Sequence, residues 1–157
     1  MARQRGPRHR RVREKPATRY APESEGLAGV LYDSDVVIEI LRGRDAIVDR
    51  AHALEAAAVP TYCTAITWAE IYAGIRSGEE PVTRAFFEAR GEVVIDSTTG
   101  RRAGAYLARY AGSHGVEIAD ALIAAAAATS GLHLWTLNRK HYPMKDVEFF
   151  DETGIGG

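Results

Sequence analysis

The stretch "VLYDSDVVIEIL", residues 30–41, places two acids, Asp33 and Asp35, inside an otherwise apolar run. The apolar residues before Asp33 predict a strand over 27–33, and the run after it predicts a helix near 35–42. An unpaired carboxylate near a hydrophobic core is costly. Acids at the point where a strand ends and a helix begins therefore need an explanation, either as helix caps or as parts of a site.

The alternation of short apolar runs with helix-period segments continues along the chain. Further strands are predicted over 59–64, 92–96 and 132–137, with a weaker edge strand over 147–150, and further helices near 45–57, 67–76, 81–90, 98–113 and 119–130. We therefore expect an α/β fold in which helices flank a central, mainly parallel sheet of about four to five strands.

The composition is that of an ordinary globular protein. Apolar residues make up 46% of the 157 positions and charged residues 26%, which excludes a disordered or fibrous chain. The longest apolar run, residues 119–130, is much shorter than the roughly 20 residues of a membrane span. A single cysteine, Cys63, excludes an intrachain disulfide and a thiolate metal cluster. We expect a cytoplasmic protein with no membrane segment.

The charge is distributed unevenly. Residues 1–20 carry eight Arg or Lys and one acid, whereas the rest of the chain carries 12 basic and 20 acidic residues. We expect a disordered basic leader over 1–25, a folded domain over 26–151 and a flexible C-terminus over 152–157. The leader has two interpretations, an arm that binds nucleic-acid phosphates or a dispensable extension, and we favour the second.

Polar residues stand where the predicted strands end or the following helices begin. Asp33 ends the first strand, Thr67 and Glu70 open the helix after the second, Asp120 opens the helix before the fourth, and Asn138 follows the fourth. In open parallel sheets, ligands bind in the crevice beyond the carboxyl ends of the strands. We expect these five side chains to converge on one edge.

Each of these residues also has a structural explanation. Asp33 or Ser34 is suited to cap the first helix. Thr67 and Glu70 have the spacing of a capping box, and Asp120 is placed to interact with a helix dipole. The asparagine after the fourth strand suits a turn.

The group as a whole favours a metal site. Three carboxylates and an amide at one sheet edge repel one another unless a cation holds them. Mg²⁺ and Mn²⁺ take oxygen ligands, and the group has no Cys or His pair that would favour zinc. Such a cation neutralises an acidic crevice, polarises a phosphoryl oxygen and activates water.

Three segments, in this order, resemble the PIN-domain nucleases and, among them, the VapC-type toxins of bacterial toxin–antitoxin pairs. The segments are "LYDSDVVIEILRG", "TAITWAEIYAGI" and "EIADALIAAAAATSGLHLWTLNRKHYPMKDVEFF". The resemblance runs from about residue 26 to residue 151 and implies a three-layer PIN-like fold. It leaves the basic leader unexplained.

The resemblance implies roles for the acidic residues. Asp33, Glu70 and Asp120 would bind Mg²⁺ or Mn²⁺, and Asn138 would add a neutral oxygen that orients a water. The implied activity is metal-dependent endonucleolytic cleavage of RNA by activated water, which leaves a 5′-phosphate and a 3′-hydroxyl.

Further residues are given supporting or ordinary roles. Ser34, Asp35 and Thr67 would support the site, with Asp35 orienting Ser34 or a water, although a solvated acid at the helix start explains Asp35 equally well. The other polar residues near the motifs are interpreted as solvated, salt-bridged or turn residues: Arg101, Arg102, Glu117, Lys140 and His141.

The implied partners are an RNA substrate, a cognate VapB-like antitoxin whose C-terminal segment would cover the site, and a second copy of the chain. The aromatic segments "WAEIYAGI" and "AFFEA" fit an interface or a buried helix equally well.

Two alternative functions remain. "DSDVV" superficially fits a haloacid-dehalogenase-like phosphatase, but an obvious downstream lysine and a paired Asp-Asp site are missing. The other alternative is a PIN fold that binds RNA or protein without cutting.

Overall fold

The computed structural model describes residues 28–152, so the predicted leader and residues 153–157 lie outside the described part of the chain. The strands are β1 (Val30–Tyr32), β2 (Thr61–Thr64), β3 (Gly91–Val93) and β4 (His133–Trp135). The α-helices are α1 (Ser34–Leu41), α2 (Asp45–Ala56), α3 (Ala65–Ala73), α4 (Glu80–Glu88), α5 (Ser97–His114) and α6 (Ile118–Ser130). A short 3₁₀ helix covers Arg139–His141.

The four strands form one parallel sheet in the order β3-β2-β1-β4, which confirms the predicted fold class. β1 lies between β2 and β4, with Val30 opposite both Thr61 and His133. The predicted edge strand over 147–150 is reduced to a parallel bridge between Leu134 and Phe149. The polar residues that follow β1 and β4 are therefore neighbours.

Alternating side chains of the sheet enter two separate cores, as the period of a strand requires. Leu31 and Leu134 pack with α5 and α6, whereas Tyr32 and Trp135 pack with α1 and α2 on the other face. The alanines of α6 at 124–127 are completely buried. The result is the expected arrangement of three layers, with the sheet in the middle.

Two helices near the sheet edge begin directly after a strand, at residues suited to capping. Asp33 caps α1 by accepting a bond from the Ser34 N–H at 2.8 Å. Thr64 caps α3 and accepts from the Thr67 N–H at 3.5 Å. The predicted capping box of Thr67 and Glu70 is therefore wrong: the last residue of β2 takes the cap, so α3 starts two residues earlier than predicted.

Among the helices of residues 28–152, none combines the length and the apolar character needed to cross a membrane. The longest apolar run, residues 119–130, forms most of α6, where the sequence predicted a helix.

Candidate functional site

The structure brings the predicted acidic residues together at the carboxyl end of the sheet. Asp33 directly follows β1, Glu70 lies on α3, and Asp120 lies in the first turn of α6. Burial raises the pKa of both Glu70 and Asp120, and the charge of Asp33 raises both further, as the charge of Asp120 does for Glu70. The three carboxylates are therefore close enough to interact electrostatically.

Asp33 is the most buried of these acids, with 9% of its surface exposed. Its Oδ1 accepts a bond from the backbone N–H of Ser34 at 2.8 Å. Its Oδ2 accepts from the hydroxyls of Thr136 and Tyr142, both at 2.8 Å. A carboxylate offers about four acceptor positions. Three are filled, so one position on Oδ1 is available to a ligand.

Asp35 connects α1 to the segment that follows β4. Its Oδ1 accepts from the next backbone N–H at 2.7 Å, and its Oδ2 accepts from the N–H of Leu137 at 3.0 Å and lies 3.3 Å from the Thr136 hydroxyl. Burial, followed by the charge of Asp33, raises the pKa of Asp35 to about 6. Its bonds thus hold the segment after β4, whereas the sequence suggested Ser34 or a water as its partner.

Ser34 and Thr67 link α1 to α3 beneath the acids. The Ser34 hydroxyl donates to the Thr67 hydroxyl at 3.2 Å, and Thr67 is completely buried. Burial raises the pKa of Glu70, and the nearby Ser34 hydroxyl partly offsets that effect. The two hydroxyl residues therefore hold the first turns of two helices together next to the Glu70 carboxylate.

Asp120 has both a structural and an electrostatic role. It occupies the third position of α6 and accepts a hydrogen bond from the backbone N–H of the cap residue Glu117, which is the acidic half of a capping box. Burial raises its pKa, and the nearby His141 lowers it. The capping bond fixes the carboxylate at the helix start, where it also faces the other acids.

His141 contacts two of the predicted site residues. Its Nε2 lies 3.0 Å from Nδ2 of Asn138, and its Nδ1 lies 3.9 Å from Oδ1 of Asp120. The two ring nitrogens therefore face different partners, the side-chain amide of Asn138 and the carboxylate of Asp120. His141 is therefore part of the site, although the sequence favoured an ordinary turn residue.

Two residues that contact Asp33 were missed by the sequence analysis. Thr136 stands two positions before Asn138, so the Thr-x-Asn pattern after the strand was an available signal. Tyr142 lies four positions after Asn138 and reaches back across the 3₁₀ helix, which no local pattern indicates. Burial and the charge of Asp33 raise the pKa of Tyr142, so its phenol remains a hydrogen-bond donor.

The remaining polar residues keep the ordinary roles expected of them. Arg102 forms an ion pair with Asp146 at 3.0 Å, as predicted for a surface residue. Arg101 is exposed and bonds to a threonine hydroxyl of its own helix at 3.4 Å. Lys140 is exposed. Glu117 is also exposed, but its charge contributes to the raised pKa of both Glu70 and Asp120.

The donor set fits a hydrated divalent cation. The site offers carboxylate oxygens, and burial and mutual repulsion raise the pKa of Glu70 and Asp120, which a cation would relieve. Within residues 28–152, no three acidic, histidine or cysteine side chains are grouped closely enough to hold a metal by themselves. Mg²⁺ usually binds through one or two carboxylates and keeps several waters. A cation bound here would therefore take only part of its coordination from these carboxylates and would keep several waters.

A cleft of about 420 Å³ adjoins the site between α1, α3 and the start of α4. Its lining combines apolar side chains with charged ones, which include Arg42, Glu70, Arg76 and Glu79. The apolar lining residues are Ile38, Leu41, Ile71, Ile75 and Val82. Because Glu70 belongs to both, an occupant of the cleft would lie against the acidic site.

The sequence and the fold were compared with known proteins. The PIN domain family matches residues 30–147. Ribonuclease VapC10 of Mycobacterium tuberculosis is 36% identical over 117 residues, which cover 73% of this chain and 86% of the relative. Ribonuclease VapC19 of the same organism is 30% identical over 115 residues, which cover 73% of this chain and 92% of the relative.

Solved structures share the same fold. FitAcB from Neisseria gonorrhoeae matches with a TM-score of 0.60 and 26% identity, covering 80% of this chain and 99% of the other. DNA-bound VapBC from Salmonella typhimurium matches with a TM-score of 0.66 and 20% identity over the same shares of the two chains. The second likeness shows the fold alone. With the match over most of the sequence, these findings establish that the chain belongs to the PIN domain family, in the group that contains the VapC proteins.

Proposed function

We propose that this protein is a metal-dependent endoribonuclease and the toxin of a type II toxin–antitoxin pair. The observation that carries the proposal is the meeting of Asp33, Glu70 and Asp120 at the carboxyl end of the parallel sheet. The relatives named ribonucleases support it. Family membership excludes the haloacid-dehalogenase-like alternative, whereas a PIN fold that binds without cutting is distinguished by experiment.

The residues that would hold Mg²⁺ or Mn²⁺ are Asp33, through the available position on Oδ1, together with Glu70 and Asp120. When bound, such a cation polarises a phosphoryl oxygen and makes water a better nucleophile at neutral pH. Asp33 is suited to this role because its three hydrogen bonds fix the carboxylate in one orientation. Glu70 and Asp120 supply charge that balances the cation.

The other chemistry belongs to side chains of this protein. The amide nitrogen of Asn138 is taken by His141, which leaves its carbonyl oxygen to accept a bond from the attacking water. The carboxylates of Glu70 and Asp120, which lie close to Asp33, would take up the proton that the attacking water loses. Water attacks the phosphorus, the bond to the 3′ oxygen breaks, and that oxygen takes up a proton. The products carry a 5′-phosphate and a 3′-hydroxyl.

The proposed antitoxin would dock in the cleft between α1, α3 and α4. The apolar side chains of Ile38, Ile71 and Val82 suit the apolar face of a helical segment, and Glu70 offers a negative charge for a basic side chain. A solved structure of the same fold from Klebsiella pneumoniae, at 24% identity, is a toxin–antitoxin complex. Occupation of the cleft would cover the acidic site.

A homodimer is part of the proposal. Trp68 and Tyr72 of α3 are only partly buried, although Phe87 of α4, which stacks on Trp68 at 4.3 Å, is 3% exposed. The aromatic segments therefore divide between the core and the surface. Sedimentation velocity of the full chain measures the assembly, and a monomer at all concentrations would contradict this part of the proposal.

The experiment compares the wild type with Asp120→Asn and a control, Asp49→Asn, which changes an exposed acid of α2. Calorimetry measures Mn²⁺ binding, and a structured RNA substrate is incubated with Mg²⁺ or with EDTA. We expect the wild type and the control to bind Mn²⁺ and to cut RNA only with metal, while Asp120→Asn does neither. A wild type that binds metal and RNA without cutting indicates a binding module. A wild type that neither binds metal nor cuts RNA refutes the nuclease.

A further inference from the structure

Tyr142 makes a long-range bond to the most buried acid of the candidate site. Its side chain is 3% exposed, and its hydroxyl donates to Oδ2 of Asp33 at 2.8 Å across 109 positions of sequence. The ring is held in the core beside α5 and α6, where it packs edge-on against Phe149 with centroids 6.5 Å apart. The donor is therefore fixed in place by packing.

The bond determines which oxygen of Asp33 is available. Oδ2 accepts from two hydroxyls, those of Thr136 and Tyr142, whereas Oδ1 accepts only from the N–H of Ser34. Rotation of the carboxylate about its Cβ–Cγ bond would break all three bonds. The arrangement thus presents Oδ1, and not Oδ2, to a ligand in the crevice.

Tyr142 belongs to a turn that touches three parts of the site. The preceding residue, His141, contacts Asn138 and Asp120, while Tyr142 contacts Asp33. These partners follow β4, open α6 and follow β1, respectively. Adjacent residues of one turn therefore join the three elements whose polar side chains must stay in register.

We propose that Tyr142 is a positioning residue, whose hydroxyl holds the Asp33 carboxylate so that Oδ1 faces a divalent cation. The cation itself rests on the proposed function, whereas the hold on Asp33 does not. Hydrogen-bonding partners of metal ligands typically contribute about 10- to 100-fold in metal affinity or activity. A purely structural bond would contribute to folding and leave both unchanged.

The chain contains a matched control for the structural explanation. Tyr106 is 7% exposed, and its hydroxyl also donates to an aspartate, Oδ2 of Asp146, at 2.8 Å. Asp146 pairs with Arg102 and has no contact with the acidic residues among those described. Tyr106→Phe thus removes the same kind of bond at a position away from the site.

The experiment uses the full chain as wild type, Tyr142→Phe and Tyr106→Phe. We expect both variants to fold, each with a lower Tm than the wild type. Only Tyr142→Phe should weaken Mn²⁺ binding, by about tenfold or more, and lower kcat for RNA cleavage while KM stays unchanged. Wild-type Mn²⁺ affinity in Tyr142→Phe, or equal weakening in Tyr106→Phe, would overturn the proposal.

A second measurement is independent of metal and of activity. By NMR, the hydroxyl protons of Tyr142 and Tyr106 should exchange slowly with solvent, and Asp33→Asn should shift only the first while Asp146→Asn shifts only the second. If the wild type binds no Mn²⁺, the nuclease proposal fails, but these signals still test whether the Tyr142 hydroxyl is bonded to Asp33. A Tyr142 proton that does not respond to Asp33→Asn overturns the hold itself.

Discussion

Asp35→Asn tests the electrostatic cost of the acidic site. Burial and the neighbouring charge of Asp33 raise the pKa of Asp35 from its usual 3.8 to about 6. The folded state therefore binds a proton more tightly than the unfolded state does. The contribution of Asp35 to the free energy of unfolding is highest below its unfolded-state pKa, and it decreases as the pH rises through its folded-state pKa. The substitution removes this titration.

The magnitude follows from the shift and from the hydrogen bonds. A shift of about two units corresponds to about 3 kcal/mol, which we reduce to about 1–2 kcal/mol because Asp35 is only partly buried and water screens its charge. Asn has one carbonyl oxygen, so it leaves one of two backbone N–H groups without its acceptor, at a cost of about 1 kcal/mol. The two effects nearly cancel at neutral pH, and the hydrogen-bond loss dominates in acid.

Urea unfolding in EDTA, from about pH 4.5 to 7.5, measures the difference between Asp35→Asn and the wild type. We expect the variant to be the less stable protein at the acid end and to reach or pass the wild type at neutral pH. Asp49→Asn, which changes an exposed acid of α2, is the control substitution. Parallel curves for Asp35→Asn would refute the reasoning. In RNA cleavage, Asp35→Asn should retain measurable activity and Asp33→Asn should not, and equal losses would contradict the roles assigned to these acids.

Two further predictions concern the neighbouring helices and the cation. Thr64→Ala removes the cap of α3 and should lower the free energy of unfolding by about 1 kcal/mol, which urea unfolding measures, and an unchanged midpoint would disprove the capping role. Mn²⁺ affinity, followed by calorimetry, should fall as the pH decreases, because the raised pKa of Glu70 and Asp120 makes protons compete with the cation. Affinity independent of pH would contradict that competition.

The sequence predicted the architecture because its signals are local. Apolar runs and helix periodicity depend on residues that are close in the chain, and they located all four strands and six helices of residues 28–152. The meeting of Asp33, Glu70 and Asp120 was also predictable, since parallel strands end at the same edge of a sheet. The edge strand over 147–150 was overestimated, because only a single bridge to Leu134 forms.

The cap of α3 was assigned wrongly because two threonines are suited to that position. Thr64 and Thr67 both suit a helix cap, and the sequence favoured Thr67 because Glu70 follows at capping-box spacing. In the fold, β2 ends at Thr64 and delivers that residue to the cap. Thr67 is then buried in the first turn, where it accepts a bond from Ser34.

The sequence by itself determined the parallel α/β fold, the family, and which acids stand at the end of the sheet. Only the tertiary structure decided how those acids are held: Thr136 and Tyr142 on Asp33, the segment after β4 on Asp35, and His141 beside Asp120. The physical reason is distance along the chain. Strand and helix patterns depend on neighbouring residues. The bond from Tyr142 to Asp33, by contrast, spans 109 positions and exists only once β1, β4 and α6 have packed.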